Sequence, residues 1–203
     1  MEELRALVQS YNPKYQLYQG EVGCPSILEW THALAGYPWT EYSQAKWVDL
    51  RYTDMLQSFG LIRSNLLLQF IYKRPAYYAV QHMAGFFDDE VKPVGELEYA
   101  STAARELTVA GFQRNGTSVA LVWYKDQIPS DELKWDLVDL TIQKAVFKDP
   151  VYVEMITGKV YGLDKSAWKS AGDGVGFSQL PVWDSPMMIA EREQVPLKKG
   201  VKN

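Results

Sequence analysis

Apolar and polar positions along this chain change their period once. Up to about residue 90 the period is helical, broken by short strands. Within Glu2 to Tyr11, Leu4, Leu7, Val8 and Tyr11 share one helical face, and Asn12-Pro13 ends the helix. The alternating run Tyr15–Gln19 predicts a strand, stopped by Gly20 and Gly23. Thr40 reads as a helix N-cap, with Glu41 in the positive first turn. Tyr42, Ala45, Val48, Tyr52, Met55, Leu56 and Phe59 come at steps of mostly three and four, and Gly60 suits the position just past a helix end. Ser64 to Ile71 is almost continuously apolar, the pattern of a strand covered on both faces, as in a parallel sheet. A third helix opens at Pro75 and carries Tyr78, His82 and Phe86. The order α-β-α-β-α predicts the repeating unit of a doubly wound sheet or a (β/α) barrel. Two such strands leave edges and helix faces uncovered, so the first half reads as the end of something larger, completed by a missing portion or a partner chain.

Past Val91 the helical period disappears. Leu107 to Arg114 and Thr117 to Tyr124 flank Asn115-Gly116, the strongest short hairpin signal. Val138, Leu140 and Ile142 alternate with Asp139, Thr141 and Gln143, giving one dry and one wet face. Val151–Ile156 turns through Thr157-Gly158-Lys159 into Val160-Tyr161. Val175-Gly176-Phe177 and Pro186–Ala190 complete a series of short strands that predicts an antiparallel β-sandwich. Beyond Glu191 the chain turns polar and Lys-rich, which predicts a loose tail.

Composition narrows the function. The 203 residues are 47% hydrophobic and 23% charged, enough for a substantial core. A net charge of −4 gives no electrostatic case for nucleic acid, and no apolar run approaches the roughly 18 residues of a membrane span. Cys24 is the only cysteine, so no internal disulfide forms; with only His32 and His82 beside it, the chain lacks the makings of a His/Cys metal site. No cofactor motif is present. The start Met1-Glu2-Glu3-Leu4 has no signal-peptide character, which leaves localisation open. Seven Trp, thirteen Tyr and seven Phe are an excess that suits stacking against sugar rings, although most aromatics in any fold are core residues.

Glu21 is the principal candidate. It stands between Gly20 and Gly23 at the carboxyl end of a predicted strand, where parallel α/β folds build their chemistry; a solvated loop glutamate is the plainer reading. The string Tyr18-Gln19-Gly20-Glu21-Val22-Gly23-Cys24-Pro25-Ser26 with Trp39-Thr40-Glu41-Tyr42-Ser43-Gln44-Ala45-Lys46-Trp47 resembles the last third of a (β/α)8-barrel retaining glycoside hydrolase, in which a barrel precedes a C-terminal sandwich. Pro75-Ala76-Tyr77-Tyr78-Ala79-Val80-Gln81, Leu121-Val122-Trp123-Tyr124, Ile156–Tyr161 and Pro181-Val182-Trp183-Asp184-Ser185-Pro186 add weaker marks, so the likeness spans about residues 1–192. It implies a fold that is α/β plus all-β: residues 1–90 an incomplete (β/α)8-barrel end, 91–192 an antiparallel β-sandwich, and 193–203 a polar tail.

The resemblance also implies chemistry. The nucleophile of a double displacement falls on Glu21. A retaining glycosidase needs a second carboxyl to protonate the leaving oxygen, about 5–5.5 Å away, and nothing here matches that acid/base motif. The chain alone is therefore expected to be inactive. Only Ile71-Tyr72-Lys73-Arg74 joins the last strand to the last helix, where relatives carry a longer loop over the active site. Gln19, Trp39 and Trp30 are candidate sugar contacts, as is Tyr37, against simple packing. His32, His82, Glu29, Glu41 and Cys24 read as capping, core or surface residues, and Asp88-Asp89-Glu90 as a solvated helix end with the makings of a weak Ca²⁺ site. Trp123, Trp135 and Trp183 fit the sandwich core or its packing better than a binding platform. The expected partner is a carbohydrate substrate; the competing class is a non-catalytic carbohydrate-binding or accessory sandwich module.

Overall fold

The computed structural model describes residues 2–14, 40–59, 75–125 and 127–196. Among the described residues three helices, α1 (Glu2–Tyr11), α2 (Glu41–Phe59) and α3 (Pro75–Phe86), precede ten strands. These are β1 (Lys92–Glu96), β2 (Tyr99–Ser101), β3 (Leu107–Arg114), β4 (Thr117–Tyr124), β5 (Asp136–Ile142), β6 (Pro150–Glu154), β7 (Lys159–Gly162), β8 (Trp168–Ala171), β9 (Gly174–Val182) and β10 (Met187–Glu191). One sheet runs β1-β3-β4-β10-β6-β7 and the other β2-β5-β9-β8. Every strand pair in both is antiparallel.

Local chemistry explains the elements. Thr40 caps α2 as its sequence predicts: its Oγ1 accepts the backbone N–H of Tyr42 and of Ser43, both at 3.2 Å, and Ser43 Oγ accepts the Thr40 N–H at 3.0 Å. The β3–β4 hairpin pairs Arg114 with Thr117 around Asn115 (φ 50°) and Gly116 (φ 79°), the two left-handed residues that the tightest hairpin turn requires.

Packing makes three layers. Val109, Val122, Val138, Leu140, Phe177, Leu180 and Ile189 meet between the two sheets. On the other face of the six-stranded sheet, Ala110, Phe112, Val119, Leu121, Val153 and Met188 pack with Ala45, Val48 and Tyr52 of α2 and Ala79, Met83 and Phe86 of α3. That second cover buries β6 and β10 at every residue.

The fold class therefore departs from the expected barrel end followed by a sandwich. Among the described residues the chain is mostly antiparallel sheet, with no parallel strand pair, and α2 and α3 pack on a sheet of the sandwich. A helical period reveals that a helix needs cover, and it leaves open which sheet supplies it. The strands expected at Tyr15–Gln19 and Ser64–Ile71 lie outside the described residues. On α3, Phe86 is buried at the junction, whereas Tyr78 stands 41% exposed. One smaller expectation also changes. Past Glu191 a 3-10 turn, Arg192–Gln194, is tied down where the Gln194 amide donates to Arg114 O at 3.2 Å and Thr117 Oγ1 at 2.9 Å.

Candidate functional site

The sequence candidates Gln19, Glu21, Trp30 and Trp39, with Cys24, Glu29, His32 and Tyr37, lie outside the described residues. Thr40, at the start of α2, donates its hydroxyl to the Asp131 carboxylate. From there α2 contributes to a polar cluster sealed between the helix and the sandwich.

Lys46 is its centre. Its ammonium sits 2.6 Å from Asp184 Oδ1, with side chains 0% and 3% exposed, and donates to Glu132 O at 2.9 Å. The rings of Tyr42 and Trp183 lie 5.0 and 5.2 Å from it. The other Asp184 oxygen accepts the Ser130 N–H at 2.8 Å and its hydroxyl at 2.9 Å. A buried charge survives only with such close partners. The pair thereby fixes three things together: α2, the 130–132 loop and the β9–β10 connection.

Two further acids share the seam. Glu154, at the end of β6, accepts Ile156 N–H and Thr157 N–H, each at 2.8 Å, and the Thr157 hydroxyl. Asp49 is fully buried on α2, and neither carboxylate oxygen has a hydrogen-bond partner. Burial, and secondarily the nearby Glu154, push its carboxyl well above the ordinary 3.8, which favours the neutral acid. Burial likewise pushes the Tyr42 hydroxyl far up, with Glu154, Asp184 and Asp49 adding to it. The cluster can anchor and can hold a proton. With Lys46 fully buried, it offers a substrate no exposed surface of that ammonium.

Other candidates resolve as structure. His82 Nδ1–H donates to Met155 O at 2.8 Å, tying α3 to the β6–β7 turn. Asp88 and Glu90 both pair with Arg114, at 2.7 and 3.2 Å. Among the described residues no group of three or more His, Cys, Asp or Glu could hold a metal. Glu41 is an exposed first-turn acid. Trp123 and Trp183 are buried, whereas Trp135 is 52% exposed, against the expectation that it packs inside. Sequence reasoning does not single out Lys46 or Asp49. A signal for them exists: both fall on the stripe that Tyr42, Ala45, Val48 and Tyr52 define, and a charge on an apolar stripe marks a buried partner. No protein-family model matches the chain, and no curated protein matches it.

Proposed function

We propose that the chain is part of a retaining glycoside hydrolase, with Glu21 as nucleophile and the acid/base carboxyl supplied from outside these 203 residues. The observation that carries this reading is the meeting of Lys46 with Asp184. Lys46 belongs to Gln44-Ala45-Lys46-Trp47 and Asp184 to Pro181-Val182-Trp183-Asp184-Ser185, two strings on which the resemblance rests, 138 positions apart. Their contact makes them one device: the sandwich end grips the helix that comes after the Glu21 segment. Nucleophilic attack demands placement within a fraction of an ångström, and a helix locked by a buried ion pair is a firm base for such a site. In this reading the carbohydrate is the substrate, Gln19, Trp30 and Trp39 are its contacts, and the sandwich is a rigid support.

Turnover of nitrophenyl glycosides tests it. The chain alone should hydrolyse none of them. The longest reading frame that contains it should hydrolyse at least one, with Glu21→Gln reducing kcat by several orders of magnitude. Activity unchanged by Glu21→Gln would refute the assignment.

A further inference from the structure

We propose that the outer face of the four-stranded sheet is a carbohydrate platform, on which Trp135 stacks a ring of a neutral polysaccharide running along β5. The ligand class rests on the glycosidase reading; its place rests on three features of this face.

First, the described helices that pack on the sandwich lie on the other sheet. Along β5, buried Val138, Leu140 and Ile142 alternate with Leu137, Asp139 and Thr141, which point outward, and Trp135, the residue just before the strand, is 52% exposed. Second, Trp135 is braced. Its ring meets buried Trp183 edge-on, with centroids 6.4 Å apart and planes at 70°, and Trp183 in turn carries the Lys46 ammonium. An exposed indole held this way loses little freedom when a ligand stacks on it. Third, the sheet is distorted where the row turns polar, four residues or about 13 Å further along. The β5–β9 register shifts between Val138 and Leu140, and opposite it Gln179 takes a φ of 55°, unusual for a residue with a side chain. The distortion brings Gln179 N–H and Nε2 to Asp139 Oδ1, at 3.0 and 3.4 Å, and leaves both residues exposed.

A pyranose ring presents an apolar C–H face and a rim of hydroxyls that both donate and accept. Along a polysaccharide the indole can answer the C–H face of one sugar, and the carboxylate–carboxamide pair the hydroxyls of another further along the strand. Ile128, Leu133 and Leu137 are also exposed, and a purely apolar surface would equally suit a second copy of the chain. The strained polar pair on the strand that Trp135 leads into favours the sugar.

Native gels containing β-glucan, xylan or galactomannan test the proposal on the full chain. At least one polysaccharide should retard it, and Trp135→Ala should weaken the apparent affinity tenfold or more. Trp135→Phe should restore most of it. Gln179→Gly, which tolerates the positive φ, should weaken it without loss of fold by circular dichroism. Retardation should persist in Glu21→Gln, so loss of the hydrolase reading and loss of this one are told apart. No retardation by any of the three, retardation unchanged in Trp135→Ala, or a dimer that Trp135→Ala dissolves without polysaccharide would each overturn it.

Discussion

Lys46 shows what one charge on an apolar stripe requires. Its ion pair with Asp184 is dry, so removing one partner strands the other. Lys46→Met should lower the unfolding free energy by about 3–5 kcal/mol in urea melts. Adding Asp184→Asn should cost less than the sum of the single changes, because the two are directly coupled. Asp49 behaves oppositely, since its lost ionisation is a penalty built into the fold. Its folded pKa lies above the unfolded 3.8. The stability it permits is therefore complete below about pH 4 and drains away as pH rises through the folded value. The acid Glu154 faces it from β6, Tyr42 and Lys46 share its helix, and His82 on the packed α3 bonds to Met155 next to Glu154. Melting temperature measured from pH 4 to 8 should fall more steeply for the wild type than for Asp49→Asn, which removes the titrating group. Parallel slopes would show that Asp49 is not the source.

At the level of elements, the sequence makes legible what is decided locally. Thr40 and Asn115-Gly116 act within three residues, so the start of α2 and the β3–β4 turn can be read directly. The strands β1, β2 and β8 cannot. They are short, have no buried residue and no run of β-branched residues, and they form because a neighbour offers a free edge. The same dependence shows at the β6–β7 turn. Gly158 has a φ of 70°, and a Cβ there would sit 2.5 Å from His82 Nε2. Gly158→Ala should destabilise by roughly 1–3 kcal/mol through backbone strain and this clash. In a His82→Ala background the penalty should shrink, leaving the strain alone. An equal penalty in both backgrounds would mean that the ring moves aside freely.

Across the whole molecule, a continuous apolar run proves to report cover on both faces rather than strand direction. β6 and β10 are buried throughout in an antiparallel sheet, because α2 and α3 supply the second cover. In the sequence the same signal at Ser64–Ile71, a segment outside the described residues, suggests a parallel strand and is one of the grounds for the expected barrel end, beside the element order and the resemblance. The candidate site is less legible than the fold: Glu21 stands out by its glycines, whereas the Lys46–Asp184 contact depends on tertiary packing. The packing also changes what excision should do. Residues 91–196 alone would expose Phe112, Leu121, Val153 and Met188, so that fragment should aggregate or bind a hydrophobic dye, and the full chain should unfold in one transition. Phe86→Ala, at the same seam, should cost about 3–5 kcal/mol. The most direct test of Glu21 as nucleophile is the product formed by Glu21→Gly with azide, in the longest reading frame that contains this chain. Azide entering the vacated space should restore turnover of an activated glycoside, and proton NMR should show a glycosyl azide of inverted anomeric configuration. A retained configuration, or no rescue, would contradict the account.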